Sequence, residues 1–103
     1  MDVGLFYLKR KQYSAAINRF RIVIEDFQTT SHTPEALHRL IECYLSLGLY
    51  KEAETTAAIL GYNYQSSEFY RDSYKLLNQK GLAPNIEKKS WLNKFYQNIV
   101  KSD

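Results

Sequence analysis

The chain has 103 residues, of which 45% are hydrophobic and 24% charged, and its net charge is +3. A chain of this length buries roughly two-thirds of its unfolded surface, which is enough for one small core. The composition excludes a disordered protein, and the mild positive charge is too weak to argue for nucleic-acid binding. No apolar run approaches the roughly 20 residues of a membrane span, and a single cysteine excludes an internal disulfide.

The first two predicted elements are helices. The first occupies about residues 2–11, and the second, about 14–27, carries apolar residues at the spacing of one helical face. The polar stretch 28–33 closes this unit. The apolar stripe of the second helix comprises Ala16, Phe20, Val23 and Phe27.

The third and fourth predicted helices form a similar pair. Thr33 is expected to cap the third helix, with Pro34 in its first turn and Glu35 at the positive end of the helix dipole. Gly48 is expected to end it, and the fourth helix spans about 50–60. The stripe of the third helix comprises Leu37, Leu40, Ile41, Tyr44 and Leu47. The fourth helix is expected to pack through Ala53, Ala57 and Leu60.

Two further helices are predicted at 66–80 and 86–101, separated by the helix breakers Gly81, Pro84 and Asn85. The fifth has a stripe of Tyr70, Tyr74 and Leu77. The sixth is amphipathic, with apolar Trp91, Leu92, Phe95 and Ile99 opposite Lys88, Lys89, Lys94 and Lys101. That pattern suits a helix that covers the open end of a stack; the alternative is a helix lying on a membrane surface.

An internal repeat unites these elements. Residues 1–30 and 31–64 are two versions of one pattern, offset by 37 residues, and the pattern decays after Gly61. Such a period, with each unit reading helix, turn, helix, is typical of a helical solenoid. We therefore expect one all-α domain over 1–103 that binds partners through extended surfaces. The recurring residues are Tyr7-Leu8, Tyr13, Ala16 and Ile22-Val23, matched by Tyr44-Leu45, Tyr50, Ala53 and Ile59-Leu60.

Residues that bear chemistry give no sign of an enzyme, a metal site or a cofactor. Cys43 has no histidine or acid at a nucleophile's spacing, so it is predicted to be a structural thiol. His32 and His38 lie six residues apart, off the spacing for a shared metal, and are expected in capping or surface roles. No phosphate-binding loop, catalytic triad or carboxylate pair is present.

Basic and aromatic residues also have plain structural interpretations. The run Lys9-Arg10-Lys11 lies at a predicted turn, where a solvated turn is favoured over a phosphate or lipid-headgroup patch. The nine tyrosines fall mostly on apolar stripes, which favours packing between helices over stacking on bases.

The repeat positions resemble those of the tetratricopeptide family. A small residue and a tyrosine lie on the first helix of a unit, and aromatic and alanine residues follow on the second. The sequence departs from this pattern at Ala57, where the family often has an aromatic, and at Gln28, where it often has proline. The matching positions are Gly4, Tyr7, Tyr13, Ala16, Phe20, Tyr44, Gly48, Tyr50 and Ala53.

A narrower resemblance covers residues 1 to about 78. Several long strings follow one another in the same order as in the BamD (ComL) family, which makes this resemblance more specific than the repeat pattern. The strings are Val3-Gly4-Leu5-Phe6-Tyr7, Ala15-Ala16-Ile17-Asn18-Arg19-Phe20, Pro34-Glu35-Ala36-Leu37, Tyr44-Leu45-Ser46-Leu47-Gly48-Leu49, Leu60-Gly61-Tyr62-Asn63-Tyr64-Gln65-Ser66, Phe69-Tyr70 and Tyr74-Lys75-Leu76-Leu77.

The resemblance implies a function. BamD is the lipoprotein of the machine that folds β-barrels into the bacterial outer membrane, and its C-terminal half, which this chain resembles, docks on the POTRA domains of BamA. The expected function is thus a non-catalytic scaffold at the periplasmic face of the outer membrane, with BamA and accessory lipoproteins as partners. The family's lipidated N-terminal cysteine and first repeats have no counterpart, so the chain is expected to be a fragment without its own export signal, and membrane attachment would depend on that missing terminus.

The same resemblance singles out Asn18 and Arg19. It places them on the surface that meets the membrane-proximal POTRA domain, where a guanidinium can pair with a carboxylate in a two-pronged geometry. The alternative is an intramolecular pair between Arg19 and Glu52 or Glu54 of the next repeat.

Two other functions remain open at this point. A generic tetratricopeptide adaptor that clamps peptide carboxylates needs inward-facing Lys and Asn, but the first helices of the repeats offer Leu5, His38 and Glu42. A nucleic-acid-binding helical repeat is supported by the positive charge alone. Self-association is a further expectation, because Val3, Phe6 and Tyr7 would pack against a preceding repeat in a longer protein, and without it their apolar surface is expected to seek a second copy of the chain.

Overall fold

The computed structural model describes residues 1–26 and 32–83. Within these ranges the chain forms five α-helices and no strand. Phe27, the rest of the linker to residue 31, and the predicted sixth helix at 86–101 lie outside the described residues. The helices are α1 (Asp2–Lys9), α2 (Tyr13–Asp26), α3 (His32–Ser46), α4 (Tyr50–Asn63) and α5 (Glu68–Gln79).

Successive helices pack against each other as antiparallel neighbours. α1 packs on α2, α2 on α3, and α3 on α4, while α5 packs on both α3 and α4. The third helix therefore lies at the centre of the described fold, in contact with three other helices. The prediction of an all-α, tetratricopeptide-like helical repeat is confirmed.

The turn between α3 and α4 has the hydrogen bonds of a Schellman cap. The N–H of Gly48 donates to the carbonyl of Leu45 at 3.1 Å, and the N–H of Leu49 donates to the carbonyl of Tyr44 at 2.8 Å. Gly48 adopts a positive φ of 75°, which glycine tolerates because it has no Cβ. The predicted role of Gly48 as the residue that ends the helix is confirmed.

The same cap recurs after α1 and α5. Lys11 (φ 59°) and Gly81 (φ 72°) take the place of Gly48, and Gln12 donates its N–H to the carbonyl of Tyr7 at 3.0 Å. Gly81 lies 33 residues after Gly48, close to the 37-residue offset of the first two units. The helix cap therefore recurs beyond Gly61, although the residue pattern decays there, since α5 ends as the first helix of a unit does.

The two repeats differ in which of their helices carries the large side chain at one pair of core positions. We call this difference an exchange of volume. A Cβ placed on Gly4 would lie 2.5 Å from a ring carbon of Phe20, so the absence of a side chain there makes room for the ring. The equivalent positions in the second repeat hold Ile41 and Ala57, both fully buried. In the second repeat the large residue thus lies on α3 and the small one on α4, the reverse of Gly4 and Phe20, and the alanine stands where the family often has an aromatic.

Four residues lie in positions that differ from the sequence-based predictions. α3 begins at His32, so Thr33 lies in the first turn, fully buried, rather than capping it. α3 ends at Ser46, which leaves Leu47 exposed in the following turn instead of on the stripe. Tyr50 and Tyr74 are also exposed rather than packed, because their neighbours on α4 and α5 take the buried positions. The buried residues of α5 are Ser73 and Leu77.

Candidate partner-binding surface

The side of α2 that faces away from the core presents Asn18, Arg19 and Ile22, all exposed. Their spacing, i, i+1 and i+4, places them on one side of the helix. The buried residues of α2 lie on the other side and comprise Ala16, Phe20, Val23 and Ile24. We call Asn18, Arg19 and Ile22 the α2 outer face.

Arg19 makes no ion pair with any residue in the described ranges 1–26 and 32–83. The alternative pairing with Glu52 or Glu54 is therefore not formed in this structure. Exposed ion pairs contribute little to stability in any case. The guanidinium of Arg19 is left with its donors facing solvent, beside the apolar side chain of Ile22.

Arg39 on α3 shows the opposite situation. Its guanidinium donates to Glu42 at 2.8 Å and to Glu35 at 3.3 Å. Burial by itself would lower the pKa of Arg39, but the hydrogen bonds and charges of the two carboxylates raise it. The sequence could have indicated these ion pairs, because Glu35 and Glu42 lie at i−4 and i+3 from Arg39, where helical side chains meet. This arginine is committed to its own helix, in contrast to Arg19.

His38 is buried, so the expectation of a capping or surface role is wrong. Its Nδ1 lies 2.6 Å from Oγ of Ser73 on α5, and its Nε2 lies 3.8 Å from a carboxylate oxygen of Glu42. Burial lowers the pKa of His38, and the charge of Glu42 opposes that shift without reversing it. No local pattern indicates this contact, because Ser73 lies 35 residues away in sequence.

Two further reactive side chains, those of Ser73 and Cys43, are buried in the helix packing like His38. The hydroxyl of Ser73 is fully buried, so the contact between serine and histidine offers no access to a substrate. Cys43 is fully buried as well, and burial, with a smaller contribution from Glu42, raises the pKa of its thiol to about 12. Cys43 is thus a packed thiol, as predicted. Among the described residues no group of three or more His, Cys, Asp or Glu side chains could hold a metal ion.

The tyrosines divide into two groups. Five of the eight described tyrosines pack against the edge of the core, which the sequence predicted, and three are exposed, which it did not. Tyr70 fits close to α4 because a Cβ on Gly61 would lie 2.5 Å from its ring. The packed tyrosines are Tyr7, Tyr13, Tyr44, Tyr64 and Tyr70, and the exposed ones are Tyr50, Tyr62 and Tyr74.

Comparison with known proteins identifies the family. The family described as YfiO, outer membrane lipoprotein, matches residues 1–59. A protein of Caulobacter vibrioides named outer membrane protein assembly factor BamD is 55% identical over 87 residues, which are 84% of this chain and 28% of that protein. The protein of the same name from Rickettsia prowazekii is 52% identical over 77 residues, 75% of this chain and 31% of that protein. The chain belongs to the BamD family.

The chain spans less than a third of the length of these two BamD relatives. A BamD protein of Neisseria meningitidis is similar at 33% identity over 75 residues. No solved structure matches the chain. None of the helices in the described part of the chain is long and apolar enough to cross a membrane. The α2 outer face lies within the segment that matches the family.

Proposed function

We propose that this chain is a non-catalytic scaffold module of the outer-membrane β-barrel assembly machinery, and that its α2 outer face binds the POTRA region of BamA. Its relatives are named outer membrane protein assembly factors. The observation that carries the proposal is Arg19, exposed and without an ion pair among the described residues. In this proposal the chain acts at the periplasmic face of the outer membrane.

The composition of the α2 outer face supports a role in protein binding. Arg19 offers a planar fork of donors that matches a carboxylate, and Asn18 adds an amide that both donates and accepts. Ile22 supplies apolar area, with 41% of its surface exposed. Arginine is enriched in protein interfaces, and a core of apolar and aromatic residues within a polar rim is their usual anatomy.

Burial of the reactive side chains supports binding rather than catalysis. Three described residues with nucleophilic or acid–base side chains, His38, Cys43 and Ser73, are buried in the helix packing. They serve contacts between helices, whereas the exposed polar residues of α2 are left for a partner.

The proposal is tested by titrating a BamA POTRA protein with the chain and with the variant Arg19→Glu. Removing one partner of a desolvated interfacial pair costs about 2–5 kcal/mol of binding, so we expect Kd to rise at least about 30-fold. Arg21→Glu is the matched control, because it makes the same charge change at an exposed position of the same helix. Arg19→Lys should give an intermediate loss, since an ammonium cannot form the two-pronged contact.

Two further readouts make the test decisive. The circular-dichroism melt of Arg19→Glu should equal that of the unmodified chain, because the side chain is exposed. A Glu→Arg change on the POTRA side should restore binding to Arg19→Glu. Normal binding by Arg19→Glu, or an equal loss in Arg21→Glu, would contradict the proposal. A generic peptide adaptor would instead bind short carboxyl-terminal peptides and be insensitive to Arg19→Glu.

A further inference from the structure

The turns that follow α1, α3 and α5 lie at one end of the described helices. Each of these helices ends in a Schellman cap and is followed by a short turn, and α2 and α4 then run back in the opposite direction. In an antiparallel stack all three turns therefore point the same way. We call residues 9–13, 46–51 and 79–83 the turn edge.

The turn edge carries five cationic side chains and no acid. All five are exposed. Several acidic residues lie at the opposite end of the helices, at the starts of α1, α3 and α5 and near the end of α2. Glu52, in the first turn of α4, lies directly beside the turn edge, so the excess of positive charge is local to the three turns. The cations are Lys9, Arg10, Lys11, Lys51 and Lys80, and the acids at the far end include Asp2, Glu25, Glu35 and Glu68.

Apolar side chains stand among these cations. Leu47, Leu49 and Tyr50 are 43%, 41% and 45% exposed, and they lie in the middle one of the three turns. Phe6, also exposed, carries the guanidinium of Arg10 over its ring at 3.8 Å. An exposed run of two leucines and a tyrosine costs free energy in water unless something covers it.

We propose that the turn edge is a docking surface for a bilayer that contains anionic phospholipids. Each cation close to such a surface is attracted by the negative lipid headgroups, and leucine and tyrosine side chains partition into the interfacial region. The cations of the three turns would orient the turn edge toward the bilayer. The exposed apolar residues lie on a turn between two flanking basic turns, an arrangement that suits a flat partner.

This docking surface is separate from the α2 outer face. Arg19 lies six residues into α2 from its first residue, about 9 Å along the helix from the turn edge, and Ile22 lies further along. Membrane docking and partner binding therefore make independent predictions, and a failure of one leaves the other standing. The contributions of charge and of apolar insertion to membrane binding can also be tested separately. Lys9 and Lys11 lie in one turn of the turn edge, and Leu47 and Leu49 lie in another.

Vesicle sedimentation tests the inference with the unmodified chain. The probes are phosphatidylcholine vesicles with and without phosphatidylglycerol, at low and high salt. We expect binding to the anionic vesicles alone, weakening as salt screens the charges. Lys9→Gln/Lys11→Gln should lower the partition coefficient roughly 25-fold, at about fivefold for each cation. Leu47→Ser/Leu49→Ser should lower it roughly tenfold with no change in the dependence on salt.

The matched control is Arg21→Gln/Arg71→Gln. It removes the same charge from two exposed positions, each about 12 Å along its helix from the turn edge, and its binding should stay within about twofold of the unmodified chain. An equal loss of vesicle binding in this control would show that binding depends only on the net charge of the chain, and would overturn the proposal. Equal binding to neutral and anionic vesicles would overturn it as well.

A third outcome would assign the turn edge to a protein. If the chain ignores both kinds of vesicle but binds an acidic peptide such as polyglutamate, and Lys9→Gln/Lys11→Gln abolishes that binding, the membrane proposal is overturned. Thermal melts should match across all variants, because every substituted side chain is exposed. Support therefore requires selectivity for anionic lipid together with loss in both turn-edge variants.

Discussion

The two repeats share a pattern at a 37-residue offset, yet they expose different parts of it. Ile22 on α2 is 41% exposed, whereas its equivalent on α4, Ile59, is 1% exposed. Arg19 corresponds to Thr56, which is buried. One helical pattern thus forms surface in the first repeat and core in the second. The same helix face is therefore closed in α4 and open in α2.

The first helices of the two repeats differ in the same way. Val3 is 48% exposed and its equivalent Leu40 is 4% exposed; Phe6 is 48% exposed and its equivalent Cys43 is fully buried. α3 packs against three helices of the described fold, but α1 packs closely against α2. Neighbours therefore decide which positions of the repeat become core. Self-association through Val3 and Phe6 stays a prediction.

The exchange of volume between the repeats predicts the largest effect on stability. Phe20→Ala should cost about 3–5 kcal/mol, because it empties the space that Gly4 leaves for the ring. Gly4→Ile alone should cost about 1–3 kcal/mol by overpacking the same space. The double variant Gly4→Ile/Phe20→Ala copies the pair Ile41 and Ala57 of the second repeat, and its cost should be well below the sum. Urea unfolding of the three variants measures this coupling.

Additive costs would show that Gly4 and Phe20 do not share one space. The pair Gly4 and Phe20 would then not be equivalent to the pair Ile41 and Ala57 of the second repeat. The reverse exchange, Ile41→Gly/Ala57→Phe, serves as the control in the second repeat. It should likewise cost less than its two single changes combined.

A close helix contact at Ala53 predicts the next effect. Ala53 is fully buried at the start of α4 and corresponds to Ala16, which is fully buried in α2. Ala53→Leu should overpack the contact between α3 and α4 and cost about 1–3 kcal/mol in thermal or urea unfolding. A melt equal to that of the unmodified chain would mean that the helices can separate there without loss.

The contact between His38 and Ser73 joins the second repeat to α5 and has no equivalent in the first repeat. Ser73→Ala should cost about 1–3 kcal/mol, since it leaves a buried ring nitrogen without its hydrogen-bond partner. Ser46→Ala, at an exposed position of α3, should change stability far less. Equal effects of the two changes in urea unfolding would show that the buried contact contributes little.

The lowered pKa of His38 also predicts a dependence on pH. As pH falls below the usual histidine pKa near 6.5, the unfolded chain takes up the proton before the folded chain does. The free energy of unfolding should therefore be constant above that value and fall as pH drops through the folded pKa. The groups that act on His38 by charge are Glu42, Arg39, Asp72 and Glu35.

Unfolding curves collected between about pH 7 and 5 test this direction. His38→Asn should flatten the profile there, because it removes the group whose pKa differs between the folded and unfolded chain. A steeper profile in His38→Asn would reverse the sign of the assigned shift.

The helix caps predict the smallest effect. Lys11 takes a positive φ that Gly48 and Gly81 take at the equivalent turns, and a left-handed residue with a Cβ costs roughly 1–2 kcal/mol. Lys11→Gly should therefore raise the free energy of unfolding by about 0.5–1 kcal/mol after the entropy of glycine is subtracted. Gly48→Lys should lower it by a similar amount. Destabilisation by Lys11→Gly would mean that the lysine side chain contributes contacts that outweigh the strain.

Much of the fold could be predicted from the sequence because local periodicity carries it. The stripe through Ala16, Phe20 and Val23 and the cap at Gly48 required no knowledge of distant contacts. The exposure of Ile22 and the burial of His38 could not be predicted, since both depend on which helix lies alongside. The exposure of Arg19 on α2 could be expected from its place beside the stripe, whereas the lack of an ion pair with Glu52 or Glu54 required the arrangement of the helices. The common direction of the three turns likewise required the antiparallel stack.

We propose that the α2 outer face, open in the first repeat and closed in the second, is the surface that binds a partner. Backbone amide chemical shifts of the labelled chain, recorded with and without the BamA POTRA protein, test this most directly. We expect the largest changes to fall on residues 15–22 and to vanish in Arg19→Glu, while residues 52–59 at the equivalent positions of α4 change little. Changes centred on α3 and α4, or an unchanged pattern in Arg19→Glu, would contradict it.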